Sequence, residues 1–286
     1  ILCLPFTSFP LVSKVFGGTS VAPLSIIFLM ILTVIEFVPN LFRTRSLPSQ
    51  VTVLLLFVVS ALISSALSNY FYIPSYRSAP VLLNAIEGFI TLAVGICFFI
   101  ITILMNKDEK SIITTIKFIN FCGLVVVFYS LVQATSWRLT NEYPAVLYKF
   151  QEFFSSNGRL YPGRVNAMAY EPSWLAHQFS LLYIPLWLSF ASQRYSVYKQ
   201  KIFNRFSYEF VFLILGFVVV ILTLSRIGWL TVLALVAIIL GQKVNRAYDN
   251  YNFKRNRTIQ WYKRLTFWFG IFVLFTIFIG IIGYIF

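Results

Sequence analysis

Residues 210–241, FVFLILGFVVVILTLSRIGWLTVLALVAIILG, carry one charged side chain, Arg226, in an otherwise apolar run. As a single helix this run would be about 48 Å long at 1.5 Å per residue, whereas a bilayer core of about 30 Å needs only about 20 residues. Two arrangements satisfy the composition: an overlong helix with a guanidinium near its middle, or two short helices joined by a tight turn at 225–228. The flanking charges choose between them. Arg194, Lys199, Lys201 and Arg205 precede the run, and Lys243, Arg246, Lys254, Arg255, Arg257, Lys263 and Arg264 follow it. One crossing would set these basic linkers on opposite faces, while a hairpin keeps both in the cytoplasm, where Lys and Arg concentrate. The hairpin is the expected arrangement, with 225–228 as its external tip.

The composition agrees with a membrane setting. Of the 286 residues 59% are hydrophobic, 19% aromatic and only 11% charged, and the mean hydropathy is +0.81. Soluble domains carry about 25% charged residues, so a polytopic membrane protein is expected. The net charge of +14 does not point to nucleic acid, because the basic residues lie in short linkers between apolar runs and not on one solvated face. Cys3, Cys97 and Cys122 are odd in number and surrounded by apolar residues, which reads as small buried hydrophobes without a disulfide or metal.

Working outward, apolar runs at 21–42, 51–67, 82–105, 118–134 and from just after Pro172 to about Ala191 precede the two hairpin arms, and 265–286 follows them. With a truncated N-terminal helix over 1–12, this predicts an all-α, polytopic transmembrane helical bundle of about eight spans, a single transmembrane domain over 1–286. Glu36, near one end of the first span, reads as a snorkelling interfacial acid beside Pro39, Asn40 and Arg43, the alternative being a functional intramembrane acid. The charged stretch from Lys107 to Lys117 reads as a linker. The segment 135–172, where Trp137, Tyr143, Phe150, Phe153, Phe154 and Tyr161 alternate with charges, suits an external piece lying in the membrane interface. Placing the basic linkers near residues 45, 110, 200 and 255 in the cytoplasm brings 159–177 and 225–228 to one outer face.

The stretch RLYPGRVNAMAYEPSWLAH, Arg159 to His177, carries the other arginines of interest. An arginine at bilayer depth costs roughly 2.5–3.5 kcal/mol on insertion scales and therefore faces protein, water or an anion. Arg164 follows a turn set up by Pro162 and Gly163, and Glu171, Pro172 and Ser173 begin a helix. A guanidinium at such a place suits a phosphate or diphosphate, because its planar fork makes paired charged hydrogen bonds, and an adjacent helix start adds free amides. The plainer alternative pairs Arg164 with Glu171 or a lipid headgroup. Glu171 itself reads as a base, an arginine partner, or a first-turn acid favoured by the helix dipole. His177, the only histidine, reads as a hydrogen-bonded packing residue or as a catalytic group. Ser173 and Ser225 lack triad companions, and no Gly-rich phosphate loop or metal-type carboxylate pair is present.

Arg164 followed by Glu171, Pro172, Ser173, Leu175 and Ala176 is similar to an R-x-x-G-x-x-x-E-P-S/N-x-x-A pattern, and Leu222 to Gly228 is similar to L-T-x-S-R-x-G. Together, over residues 159–241, they resemble the O-antigen ligase and O-antigen polymerase superfamily of bacterial envelopes. The resemblance implies a GT-C-like helical, metal-independent, cofactor-free glycosyltransferase in the bacterial cytoplasmic membrane with its active face outside. It implies an undecaprenyl diphosphate-linked glycan donor and a glycan or lipid acceptor. It makes Arg164, Arg226 and Glu171 the catalytic candidates and Arg159, Ser173, Ser225 and His177 the substrate-binding ones. Two departures stand out: Ala167 occupies the usual glycine position, and the family's long external loop would begin only after Phe286, so a longer protein is expected. The competing readings are a peptidoglycan-type polymerase and an anionic-lipid or lipid-linked glycan flippase. A flippase is expected to carry charges deep in the bundle and internal repeats, and no repeat is visible.

Overall fold

The computed structural model describes residues 2–15, 22–37, 39, 49–68, 81–193, 195–198, 206–235, 237–239, 241 and 270. Among them the chain is mostly helical and forms no strand, apart from isolated bridging contacts such as Ser8 with Ala22. The elements are α1 (Pro10–Val15), α2 (Ser25–Leu32, continuing as a π-turn over Thr33–Phe37), α3 (Ser49–Ser68), α4 (Val81–Met105) and α5 (Glu109–Thr140). Then come α6 (Ala145–Phe154), α7 (Pro172–Gln178), a π-turn (Phe179–Tyr183), α8 (Ile184–Gln193), α9 (Tyr208–Leu222) and α10 (226–235). Gly88–Met105 and Glu109–Thr140 are long and apolar enough to cross a membrane, and Ser25–Ile35, Val53–Leu67, Tyr208–Leu222 and Arg226–Ile239 are shorter apolar helices. The expected span over 265–286, the linkers near residues 45, 200 and 255 and the side chain of Glu36 lie outside the described residues.

Two expectations change. Residues 2–9 are not a helix: Pro5 and Pro10 interrupt it, and only Pro10–Val15 is helical. Instead Ser156 N–H donates to the Ser8 carbonyl at 2.7 Å and Gln178 Nε2 to the Leu4 carbonyl at 2.8 Å, seating the N-terminal segment over α6 and α7. The charged stretch 107–117 is largely helix. Asp108 caps α5, its carboxylate accepting from Ser111 N at 3.1 Å and Ser111 Oγ at 2.7 Å, which satisfies one of the open amides at a helix start. Of the cysteines, Cys122 is buried, while Cys3 and Cys97 are half-buried.

The core is organised around Trp187 of α8, which is fully buried. Its Nε1–H donates to Asn120 Oδ1 of α5 at 2.8 Å, so the one polar atom of the indole is satisfied. Gly123 of α5 and Gly216 of α9 let those helices close on the ring, since a Cβ would sit 2.6 Å and 2.8 Å from its atoms. Phe179 and Tyr183 complete the cluster, Tyr183 stacking on Trp187 at a centroid separation of 5.4 Å. The helix widens at 179–183, and the cause is Pro185. It has no N–H for residue 181 and its ring clashes with the carbonyl there, and the ladder shifts so that Ile184 N–H bonds Phe179 O.

The apolar run 210–241 is not one straight helix. α9 ends at Leu222, Thr223 Oγ turns back to the Val220 carbonyl at 2.7 Å, and Leu224 takes a left-handed φ of 46°. α10 then starts after Ser225. A Cβ on Gly228 would meet Val220 Cγ1 at 2.8 Å and Ala176 Cβ at 3.2 Å. Residues eight apart in a continuous helix are about 12 Å apart along its axis, so α10 folds back beside α9 and onto α7.

Candidate functional site

The stretch from Ser155 to Glu171 is irregular, and each of its polar backbone groups needs a partner. Pro162 and Gly163 occupy the centre of a turn closed by Arg164 N–H to Tyr161 O at 3.1 Å, with Gly163 at φ 68°. Tyr143 Oη donates to Tyr161 O at 2.8 Å, with the Arg164 carbonyl at 3.3 Å. Burial, with Tyr148 nearby, pushes the Tyr143 phenol up to about 12, so it stays a neutral donor. On the inner side the buried Gln133 of α5 accepts the Asn166 and Ala167 amides at Oε1, at 3.2 Å and 2.9 Å. Asn166 Nδ2 in turn donates to the carbonyls of Arg159 at 3.1 Å and Ala169 at 3.2 Å. Ala167, at the position where the motif has glycine, adopts φ 45°, a left-handed conformation that favours glycine.

This loop closes the end of α9. Val165 N–H donates to the Leu222 carbonyl at 3.2 Å and Arg164 Nε–H to the Thr223 carbonyl at 3.0 Å, so the first motif satisfies carbonyls that the ending helix leaves open. The second contact between the motifs is apolar: Gly228 packs on Ala176. Among the described residues the terminal nitrogens of Arg164 bond no protein group, and Arg164 lines a cleft of about 110 Å³ with Arg138, Trp137, Tyr143, Leu222 and Leu224.

Arg164 therefore pairs with a backbone carbonyl and not with Glu171. Glu171 stands at the cap position of α7 with an extended backbone; its carbonyl accepts the Trp174 and Leu175 amides, and its Oε2 accepts from Ser173 Oγ at 3.3 Å. His177, read as a hydrogen-bonded packing residue or a catalytic group, is exposed in the last turn of α7. Arg159 is exposed. Ser225 is buried, its N–H donating to Thr223 Oγ at 3.2 Å. Arg226 is exposed at the start of α10. Of the candidates, the structure joins Arg164 to the 222–225 break, whereas Glu171, Ser173, His177, Arg159 and Arg226 do not line the cleft. Sequence reasoning placed neither Arg138 nor Gln133 in a site and read Trp137 and Tyr143 only as interfacial aromatics; the signal available was a lone arginine beside a tryptophan at the end of an apolar run. No family model, no curated protein and no solved structure matches the chain.

Proposed function

We propose that the chain is a multi-pass glycosyltransferase of the bacterial cytoplasmic membrane, of the O-antigen ligase or polymerase kind, working on its outer face. An acceptor hydroxyl attacks the anomeric carbon of a glycan held on undecaprenyl diphosphate. The bond to the diphosphate breaks, the carrier leaves with the electron pair, and the hydroxyl proton passes to a base, for which Glu171 is the candidate. Arg164, in the cleft, and Arg226, exposed at the start of α10 outside it, are the candidates to stabilise the charge that develops on the leaving group, the electrostatic route to a lower barrier. What supports the reading is the junction of two motifs far apart in sequence, Arg164 Nε on the Thr223 carbonyl at 3.0 Å, with Arg164 lining an open cleft. The multi-span bundle and the external hairpin tip belong to the same proposal.

The test is transfer from an undecaprenyl diphosphate-linked glycan by the purified whole protein in nanodiscs. Arg164→Ala abolishes transfer. Arg226→Lys, which keeps charge but loses the planar fork, lowers it about ten- to a hundredfold, the kinetic equivalent of one charged hydrogen bond. Wild-type rates in both variants would remove the reading.

A further inference from the structure

The cleft beside Arg164 has a second cation that neither motif contains. Arg138, in the last turn of α5, also lines it. Among the described residues no carboxylate lines the cleft, and Arg138 is exposed. Two arginines that line one small space favour an anion there, which offsets the repulsion between their charges. The volume of about 110 Å³ is well beyond the roughly 10–15 Å³ that a single water needs, so a group of several heavy atoms fits. Two exposed apolar side chains of the lining form an apolar mouth: Ile221 is 41% exposed and Leu224 53% exposed. Trp137 supplies a further apolar wall with an indole N–H.

We propose that this cleft binds a phosphoryl group carried on a lipid chain, with Arg138 and Arg164 as paired guanidinium ligands and Ile221 and Leu224 against the chain's first carbons. Free inorganic phosphate shares the headgroup chemistry but makes no use of the apolar mouth. The lipid-borne source rests on the membrane reading above, and the role of Arg138 does not.

The experiment uses the whole chain in phosphatidylcholine nanodiscs, titrated calorimetrically with dodecyl phosphate, dodecanol or inorganic phosphate. Dodecyl phosphate should bind, inorganic phosphate at least about tenfold more weakly, and dodecanol not measurably. Arg138→Gln and Arg164→Gln should each weaken dodecyl phosphate about ten- to a hundredfold, Arg138→Lys should fall between, and Lys149→Gln, exposed on α6, should match wild type. Inorganic phosphate binding as tightly as dodecyl phosphate overturns the lipid source, and Arg138→Gln binding like wild type overturns the site. Without any variant, dodecyl phosphate should slow amide hydrogen exchange at 137–140 and 163–165 of the wild-type chain, and unchanged exchange there also overturns it. If these binding results hold while no glycan transfer is found, the cleft stands and the proposed activity falls. If Arg138→Gln binds and transfers like wild type while Arg164→Ala is inactive, the activity stands and Arg138 is no ligand.

Discussion

Gly228→Ala tests the contact that joins the two motif regions, and its sign separates a folded-back α10 from an unobstructed one. Replacing glycine by alanine inside a helix gains roughly 0.5–1 kcal/mol, because the glycine chain has more freedom to lose on folding. Here the added Cβ would lie 2.8 Å from Val220 Cγ1 and 3.2 Å from Ala176 Cβ. Those atoms belong to short side chains on packed helices and cannot swing away, so overpacking costs about 1–3 kcal/mol. The overpacking wins, with a net loss of about 0.5–2 kcal/mol, or a few degrees of melting temperature for a chain of this size. Gly95→Ala in α4 is the control: nothing lies within 4 Å of its Cβ position, and the helix gain should appear alone. Both are read by thermal unfolding in the same detergent, together with the Val220→Ala/Gly228→Ala cycle. Val220 is 1% exposed, so Val220→Ala alone costs about 2 kcal/mol, but it removes the clashing methyl. The double variant should then be less destabilised than the two singles combined by about 1 kcal/mol or more. Gly228→Ala raising the melting temperature as Gly95→Ala does, or an additive cycle, would refute the packing of α10 against α9.

Ala167→Gly should be nearly neutral in stability: relief of a left-handed alanine, about 1–2 kcal/mol, is offset by the glycine's unfolded-state entropy and the loss of a buried methyl. Ala167→Val, β-branched at φ 45° in a fully buried position, should unfold the loop, which loss of amide protection at 159–171 would register. The Tyr143 phenol lies above its ordinary 10, at about 12. Its neutral form therefore stabilises the fold fully below pH 10, and that contribution is lost as pH rises toward 12. Tyr143→Phe should flatten this part of an alkaline stability profile; identical wild-type and variant slopes would contradict it.

The helical class and the break near Ser225 were legible because they follow from composition, length and charge. A run of 210–241 with one arginine is too long for a single short crossing. Pro172 marked the start of α7 for a similarly local reason, a residue suited to the first helical turn. Pro185 carried as plain a signal for the π-turn at 179–183, but its effect falls four residues earlier, on a carbonyl that an apolar pattern does not single out. The loop clamp was hidden in another way. Gln133 looks like a polar residue at the end of a span, and only the fold shows it turned inward onto the Asn166 and Ala167 amides. That Arg138 and Arg164 line one cleft was invisible because the two belong to different elements, and spacing along one helix says nothing about what lies beside it.

The placement of the cleft makes its arginines more than ordinary caps. It lies against the C-terminal ends of two helices, α5 ending at Thr140 and α9 at Leu222. Each such end carries a partial charge of roughly −0.5, from carbonyls that the helix leaves open. Without cations the space would therefore carry a net partial charge near −1 and would repel a phosphoryl group. Arg138 and Arg164 together reverse this to about +1, while either alone leaves it near zero. If the arginines served only the helix ends, one for each, their replacement would cost about 0.3–1 kcal/mol of stability apiece and no ligand would follow. The spacing of roles argues otherwise, because Arg164 already serves α9 through its Nε, on the Thr223 carbonyl. Its terminal nitrogens are surplus to that task. An anion site built on helix C-termini depends on every cation it has, so Arg138→Gln should cost more in phosphoryl binding than in melting temperature, whereas a mere cap would show the reverse.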